Sequence, residues 1–525
     1  MSKGKGCVAA GHQATAEAGA EILRAGGNAV DAAVAAACMS FIAEPVLTGA
    51  GGGGFMLVCQ PNKAPLLLDG FARMPRATIE DIEAPDFRAI PVDFGDTVQT
   101  FHIGQASVAT PGLMSMLFEA QSRGGRIPLR EVIAPACHAA RNGLTLNTLQ
   151  ASFIHLLHPI LTASDACKSL HSKEDRLLNE SEVFANPDLA NLLELLCIEG
   201  VEEMYLGDVA QSIVTACHPG GLLSMQDMVE AQMIQRRPLE TQALGGTLLT
   251  NPPPSSGGSL IAFSLQLLES LRGLRREDDA ILLAECLREA AMARTTDFDA
   301  NIHQADFATE FLHTERIVRH SQDIAERLDA KSSSTSQEES NRHGSTTHIS
   351  VLDADGMAVS MTASNGEGSS IIVPGTGIHL NNMLGEEDIN PLGFHHLKAG
   401  ETLSSMMAPS ILMQDKRPSV ILGSGGSNRL RGAILQVLFR HKTLGLAIED
   451  AVHAPRLHPE SMLLDAEPKA LTAGDEDALR KLGWKIRNWS KNSLYFGGVH
   501  AISIGRNNGV EAAGDPRRGG AVAWA

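Results

Sequence analysis

The segment KSSSTSQEESNRHGS, residues 331–345, is followed directly by Thr346-Thr347-His348-Ile349-Ser350-Val351-Leu352, and this change of pattern indicates how the chain is organised. The first segment has no large apolar side chain to offset the entropy of ordering, so we expect an exposed, mobile loop. The second alternates in the manner of a β-strand. A turn at 353–356 and renewed alternation over 357–362 then predict a β-hairpin directly after the loop.

The junction between loop and strand is a candidate catalytic position. If the bond between Ser345 and Thr346 were cut, Thr346 would carry a free α-amine beside its own hydroxyl. An α-amine has a pKa of about 7.7–8.0 and can take the hydroxyl proton, which activates a poor nucleophile. The spacing leaves a plainer alternative open, in which 331–345 is only a linker and Thr346 an ordinary strand residue.

Upstream of the loop, the pattern predicts two helices and then strands. Residues 14–25 and 29–40 form the helices, separated by Gly26-Gly27, and the second is almost entirely small and apolar, which is typical of a buried helix. A glycine-rich turn at 48–54 leads into strands at 55–59 and 65–69. These strands indicate a central sheet.

The rest of the chain divides into a mainly helical region and a mixed one. From about 110 to 330 we expect helices, including 128–143, 186–200, 259–271 and 279–294. After the hairpin we expect strands at 371–373, 410–413, 419–422, 497–504 and 509–513, with helices at 428–440 and 475–483. The organisation is α/β, in two parts joined by the loop at 331–345.

Composition narrows the class of protein. The chain has 525 residues, 43% of them hydrophobic, and a net charge of −18. A nucleic-acid-binding protein usually carries a basic surface, so the acidic balance argues against a nucleic-acid partner. No two of the eight cysteines form a C-x-x-C pair, which argues against a disulfide framework or a zinc site.

The N-terminal residues give an expectation about location. The apolar run at 32–43 is shorter than the roughly 20 residues of a membrane span. The first residues lack the apolar core of a signal peptide. We therefore expect a cytoplasmic protein without a membrane span, and a periplasmic or secreted one if a start-site error hides an export signal.

A second candidate position is the strand-to-helix turn Leu422-Gly423-Ser424-Gly425-Gly426-Ser427-Asn428-Arg429. Backbone N–H groups at such a turn can stabilise an oxyanion or cradle a phosphate. The motif G-x-x-x-x-G-K-[ST] is absent, so this is no P-loop. A tight turn without function is the plain alternative.

Two further loops have weaker signals. Ser404 and Ser405 could hydrogen-bond a ligand carboxylate, although serine pairs more often form turns. The glycines at 48–54 precede a strand and not a helix, so they do not fit a dinucleotide-binding motif, and close backbone packing explains them better.

Several motifs, in order along most of the chain, resemble the γ-glutamyltransferase (γ-glutamyltranspeptidase) family of N-terminal-nucleophile hydrolases. They are EILRAGGNAVDAAVAA (21–36), EPVLTGAGGGGFMLV (44–58), VATPGLMSML (108–117), NPPPSSGGSL (251–260), STTHISVLDADG (345–356), GTGIHLNNML (375–384), LSSMMAPS (403–410) and LGSGGS (422–427).

The resemblance implies a four-layer αββα sandwich and a proenzyme that cuts itself between Ser345 and Thr346. Its products would be a large subunit, 1–345, and a small subunit, 346–525, that stay together. Thr346 would attack the γ-glutamyl amide of glutathione or a related donor, with Gly425 and Gly426 supplying the oxyanion N–H groups. The acyl group would pass to water or to an amino acid or peptide acceptor. No metal or organic cofactor is implied.

The resemblance also implies roles for residues that stand at the positions of the family's substrate-binding side chains. Ser404 and Ser405 match the serines that bind the donor's α-carboxylate, and Ser364 matches a threonine whose hydroxyl supports the nucleophile. Glu386 stands where the family usually has an aspartate for the donor's α-amine. Asn365 is a candidate for the same job, although its register is shifted by one residue.

The main departure lies in Asp69-Gly70-Phe71-Ala72-Arg73-Met74-Pro75. Phe71 occupies the place of the family's carboxylate-binding arginine. Arg73 lies two residues on, hence on the same side of an extended segment, and is a candidate replacement. Without it a charge-assisted contact is lost, and donor affinity falls or the substrate changes.

Two rival functions remain open. One is a related amidase with another substrate, such as a β-lactam side-chain acylase or a poly-γ-glutamate hydrolase. The other is a homologue that does not process itself and only binds a ligand. The intact Thr346, the serine pair and the glycine pair argue against the second.

Overall fold

A computed structural model describes residues 6–93, 98–272, 279–329 and 346–525. The predicted loop at 331–345, with Ser345 of the expected cleavage site, lies outside these residues.

The strands of the described chain, in order, are β1 (Gly6–Ala10), β2 (Gly53–Cys59), β3 (Leu66–Gly70), β4 (Arg88–Asp93), β5 (Val98–Ile103), β6 (Leu144–Thr145), β7 (Ser172–Lys173), β8 (Arg176–Leu177), β9 (Val183–Phe184), β10 (Ile234–Arg236), β11 (Leu239–Ala243), β12 (Gly246–Thr250), β13 (Thr347–Asp353), β14 (Ala358–Ser364), β15 (Ile372–Val373), β16 (Ile378–His379), β17 (Ser410–Gln414), β18 (Arg417–Gly425), β19 (Leu457–Glu460), β20 (Leu463–Ala466), β21 (Lys485–Asn488), β22 (Gly498–Ile504), β23 (Val510–Ala513) and β24 (Ala521–Trp524).

The α-helices are α1 (Gln13–Arg24), α2 (Ala29–Ala43), α3 (Leu113–Gly124), α4 (Leu129–Asn142), α5 (Thr148–Leu156), α6 (His158–Leu161), α7 (Asp165–Leu170), α8 (Pro187–Glu199), α9 (Glu202–Leu206), α10 (Asp208–Ala216), α11 (Met225–Glu230), α12 (Ser256–Ser270), α13 (Asp279–Ala293), α14 (Thr296–Asn301), α15 (Phe307–Phe311), α16 (Thr314–Asp329), α17 (Arg429–Lys442), α18 (Ile448–His453) and α19 (Ala473–Lys481).

The first large sheet has seven strands in the order β10-β3-β2-β14-β13-β1-β24, and neighbouring strands are antiparallel. Side chains alternate between its two faces, as the strand geometry requires. In β1, Val8 and Ala10 pack on the helical side, whereas Cys7 and Ala9 face the second sheet. Both faces are therefore buried, and β13 lies near the centre of the molecule.

The second large sheet has six strands in the order β11-β12-β17-β18-β22-β23. Its strands β18 and β22 pack against β13 and β14 of the first sheet. Helices α1, α2, α3 and α4 cover the first sheet, and α12, α17 and α18 cover the second. These layers confirm the expected four-layer αββα sandwich, which is the N-terminal-nucleophile hydrolase fold.

Helix α2 is buried along its whole length, from Ala29 to Ala43. Asn28 caps it through a capping box with Asp31, which satisfies the first free N–H groups of the helix. Its small side chains let it pack closely against both α1 and α4. Glu44, the residue that follows the last turn of α2, therefore lies in the interior of the fold.

The predicted hairpin is confirmed as β13 and β14, with Thr347 opposite Ala363. The region expected to be mainly helical also contains β10, β11 and β12, all in the large sheets. These strands are only three to five residues long, too short for a clear period. Pairing with the distant strands β3 and β17 stabilises β10 and β12, and β11 pairs with β12. The sequence pattern also did not predict β1 and β24, which lie at opposite ends of the chain and pair with each other.

Candidate active site

Thr346 lies immediately before β13 and is buried, with 7% of its surface exposed. The register pairs Thr347 with Ala363, so one step earlier Thr346 stands opposite Ser364. Alternation along the strand puts Thr346 on the same face as His348, towards the second sheet. Its carbonyl oxygen accepts a hydrogen bond from Arg518 Nη1 at 3.4 Å.

Of the two candidate oxyanion glycines, Gly425 sits against this residue and Gly426 follows it in the same turn. A Cβ atom at Gly425 would overlap the Thr346 carbonyl oxygen, so only glycine permits this approach. Gly426 has φ +123°, a conformation that L side chains rarely adopt, and a Cβ there would lie 2.9 Å from Gly497 Cα. The structure therefore places Gly425 against Thr346, and the oxyanion role of Gly425 and Gly426 stays a prediction.

Ser364 ends β14 beside the same site, and its Oγ accepts a hydrogen bond from the Gly366 N–H at 3.0 Å. Asn365 donates from Nδ2 to the His379 carbonyl at 3.1 Å, while its Oδ1 is buried and accepts no hydrogen bond within the described chain. The Asn365 oxygen is thus available to a donor group.

Glu386 lies next to this turn. A Cβ atom at Gly366 would overlap Glu386 Oε1, and that oxygen is buried without a hydrogen-bond partner among the described residues. Burial, followed by the nearby carboxyl groups of Glu367 and Asp388, raises the pKa of Glu386 well above its usual value. A carboxyl group in this state gains from a cation that enters the site.

The two serines at 404 and 405 are also buried, but they have different surroundings. Ser405 Oγ accepts from the Met407 N–H at 3.1 Å, and the Ser405 carbonyl accepts from Ser255 Oγ at 2.9 Å. Ser404 Oγ makes no hydrogen bond to any described residue. Ser404 therefore has a free hydroxyl for a ligand, and the segment that carries Ser255 supports the pair from behind.

Arg73 is engaged elsewhere. Its Nη1 donates to the Glu230 carbonyl at 2.8 Å, and its Nη2 donates to the Gln232 carbonyl. Phe71 is buried and stacks on Phe55 with ring centroids 5.1 Å apart. The guanidinium is thus held by backbone oxygens, and its role as a carboxylate ligand stays a prediction.

Sequence reasoning missed two charged residues at the site, Glu44 and Arg518. Glu44 accepts hydrogen bonds from Thr15 and from Thr347, the neighbour of Thr346. Arg518 lies within reach of the Thr346 carbonyl, and burial lowers its pKa to about 10. The one sequence signal is the arginine pair at 517–518, which stands between Pro516 and two glycines near the C-terminus.

Neither a membrane span nor a metal cluster emerges from the described ranges. No helix there is both long and apolar enough to cross a bilayer. No group of three or more His, Cys, Asp or Glu side chains in those ranges is placed to hold a metal ion.

The whole chain resembles known proteins. The family model for γ-glutamyltranspeptidase matches residues 15–525. The glutathione hydrolase proenzyme of Bacillus subtilis strain 168 is 28% identical, covering 98% of this chain and 91% of the relative. The acylase ACY 1 proenzyme of Pseudomonas sp. strain SE83 is 28% identical, with coverages of 96% and 90%.

Structural similarity extends over the same length. The crystal structure of cephalosporin acylase from Bacillus halodurans superposes with a TM-score of 0.85 at 24% identity, covering 99% of this chain and 96% of that one. At this identity the likeness shows the fold alone. The family match over nearly the full chain shows more: the protein is an enzyme and belongs to the self-processing γ-glutamyltranspeptidase family.

Proposed function

We propose that the protein is a self-cleaving γ-glutamyltransferase that breaks the γ-glutamyl amide bond of donors such as glutathione. The observation that carries the proposal is the placement of Thr346, buried at the start of a central strand with Gly425 against its carbonyl. The B. subtilis relative, a glutathione hydrolase proenzyme, supports the choice of donor.

Self-cleavage would begin when the Thr346 hydroxyl attacks the carbonyl carbon of Ser345. As the ester forms, the C–N bond between Ser345 and Thr346 breaks and the α-amine of Thr346 is released; water then splits the ester. The products would be 1–345 and 346–525. Each of the two large sheets contains strands from both segments, so the products would stay associated without a covalent link.

Turnover would use the same threonine. Its new α-amine takes the hydroxyl proton as Oγ1 attacks the γ-carbonyl of the donor, and the N–H groups of Gly425 and Gly426 stabilise the oxyanion. The intermediate collapses, the C–N bond breaks, and the leaving amine takes the proton. Water or the amine of an acceptor then attacks the γ-glutamyl ester and frees Thr346.

Donor recognition would divide between two sides of the site. The hydroxyls of Ser404 and Ser405 receive the α-carboxylate. Glu386 and Asn365, each with a buried oxygen lacking a hydrogen-bond partner among the described residues, receive the α-amine. The Ser364 hydroxyl, opposite Thr346, supports the nucleophile.

A second candidate function is hydrolysis of another amide, such as a β-lactam side chain. The observation that favours it is Phe71, an uncharged, buried side chain where the family places a carboxylate-binding arginine. The 28% identity to the acylase ACY 1 proenzyme is consistent with this alternative.

One experiment separates these functions. Wild type and Thr346→Ala are purified, and their cleavage is monitored by denaturing gel and intact-mass analysis. Both proteins are then assayed with γ-glutamyl-p-nitroanilide and with glutaryl-p-nitroanilide. We expect fragments 1–345 and 346–525 from wild type, a full-length variant, and preference for the γ-glutamyl substrate. Preference for the glutaryl substrate supports the acylase. A full-length, inactive wild type would leave only the ligand-binding homologue.

A further inference from the structure

Asp388 joins the loop that carries Glu386 to the turn that carries the two glycines. Its Oδ2 accepts a hydrogen bond from Ser427 Oγ, and its Oδ1 accepts one from Asn428 Nδ2 at 3.1 Å. Ser427 and Asn428 directly follow Gly426 and precede α17. One carboxylate therefore holds both residues that connect the glycine pair to the helix.

The backbone of this turn needs such support. Ser427 has φ +48°, in the left-handed region that a residue with a side chain enters only at a cost. Gly426, just before it, has φ +123°. Conformations of this kind persist when surrounding contacts over-determine them, and the two bonds to Asp388 are contacts of that sort.

Asp388 is itself anchored to the other segment of the chain. Arg294 Nη2 donates to the Asp388 carbonyl at 3.2 Å. Arg294 also forms an ion pair with Asp299 at 2.9 Å, and the two side chains are only 11% and 9% exposed. A chain of contacts thus runs from residues before the expected cleavage site to the glycine turn after it.

We propose that Asp388 is a positioning residue that sets the N–H groups of Gly425 and Gly426 for the oxyanion. The inference rests on the proposed function, because it assumes that these two N–H groups face the tetrahedral intermediate. Oxyanion stabilisation requires donors about 2.7–3.1 Å from the developing charge, so a small tilt of the turn weakens it. Both self-cleavage and turnover pass through such an oxyanion, and both depend on Asp388.

The test compares Asp388→Ala with Glu387→Ala, an exposed neighbour on the same loop. With γ-glutamyl-p-nitroanilide we expect Asp388→Ala to lower kcat by about 10- to 100-fold, below the full loss of an oxyanion donor. KM should change little because the interaction belongs to the transition state, and self-cleavage should slow in parallel. Glu387→Ala should match wild type. An unchanged kcat, or a loss confined to KM, would overturn the proposal.

Two conservative variants keep the test decisive if Asp388→Ala does not fold. Ser427→Ala removes one of the two bonds and should lower kcat less than Asp388→Ala. Asp388→Asn keeps the side-chain shape and can still bond both partners, so it should retain most of the activity. If Asp388→Asn is as impaired as Asp388→Ala, or if Ser427→Ala is fully active, the hydrogen bonds of Asp388 do not position the glycine turn.

Ligand binding separates positioning from a general loss of structure. A boronic acid in place of the donor's γ-amide forms a tetrahedral adduct with Thr346, whereas glutamate does not. We expect Asp388→Ala to weaken the boronate relative to glutamate by the factor lost in kcat, because any change at the neighbouring Glu386 affects the shared α-amine of both ligands alike. Equal weakening of both ligands would assign Asp388 to the donor pocket instead. Failure of the proposed function would look different, because wild type itself would stay uncut and inactive.

Discussion

Thr347 Oγ1 donates a hydrogen bond to Glu44 Oε2 over 2.6 Å, which ties the residue after the candidate nucleophile to the end of α2. Thr15 donates to the other carboxyl oxygen at 2.9 Å. Thr347 points to the helical face of the sheet and Thr346 to the opposite face. Glu44 therefore holds the start of β13 from the helical face of the sheet and does not extend to the face on which Thr346 lies.

The first prediction concerns the pH dependence of stability. Burial raises the pKa of Glu44 to about 7, although both hydrogen bonds and Arg518 act to lower it. A raised pKa in the folded state means that the contribution to stability is full below the unfolded pKa, near 4.3, and is lost as pH rises to about 7. The loss is on the order of 3 kcal/mol. Glu44→Gln should remove this part of the slope.

Denaturant unfolding of wild type and Glu44→Gln between pH 5 and pH 8 checks this prediction. The difference between the two proteins isolates Glu44 from the other groups that titrate in this range. Parallel stability profiles for the two proteins would contradict a raised pKa at Glu44.

The second prediction concerns Ser364. Ser364 lies opposite Thr346 on the neighbouring strand, so Ser364→Ala should slow both self-cleavage and turnover. Loss of one hydrogen bond to a reacting group corresponds to about 10- to 100-fold in rate. Ser364→Thr keeps the hydroxyl and should retain activity. Gel analysis over time and kcat measurements report both steps, and a fully active Ser364→Ala would exclude the supporting role.

The third prediction concerns Glu386 and the donor's amine. Glu386→Gln should raise KM for γ-glutamyl-p-nitroanilide by about 10- to 100-fold, because a charge-assisted contact is lost. It should leave glutaryl-p-nitroanilide, which lacks the amine, nearly unaffected. Equal effects on both substrates would mean that Glu386 does not contact the amine.

The same residue predicts a difference in pH profile between the two substrates. Burial and the neighbouring carboxyl groups raise the pKa of Glu386, and only the ionised form attracts an ammonium group. The kcat/KM for the γ-glutamyl substrate should therefore rise with pH through that pKa. The glutaryl substrate, and the Glu386→Gln variant, should lack this rise.

The fourth prediction concerns Arg73. Because both terminal nitrogens bind backbone carbonyls, we expect Arg73→Ala to lower the free energy of unfolding by about 1 kcal/mol, discounted for partial exposure. KM for γ-glutamyl-p-nitroanilide should stay nearly constant. A variant of normal stability with a raised KM would show instead that Arg73 leaves the carbonyls to bind the donor's carboxylate.

A second substrate, a 4-aminobutyryl amide, keeps the amine and lacks the α-carboxylate, so it distinguishes carboxylate binding by Arg73 from a structural role. If Arg73 binds the carboxylate, Arg73→Ala affects the γ-glutamyl substrate and spares the aminobutyryl one. If Arg73 only supports the end of α11 and the residues after it, the two substrates respond alike.

Much of the fold was predictable because its signals are local. The alternation at 346–352 and 357–362 predicted the hairpin, and the small residues of α2 indicated a buried helix. The short strands at 234–250 were not predictable. β10 and β12 pair with β3 and β17, which lie more than 100 residues away, and β11 joins the sheet only through β12; local propensity does not encode the distant contacts.

The same division holds for the candidate site. The residue types that the chemistry needs can be read from local sequence: a hydroxyl at Thr346 after a polar segment, the glycine pair and the serine pair. Their surroundings depend on the folded chain. Burial behind β13 raises the pKa of Glu44, and the folded chain brings Arg518 to the Thr346 carbonyl and directs Arg73 to backbone oxygens. Exclusion of water and contact across hundreds of residues produce these effects, and neither is a property of a local segment.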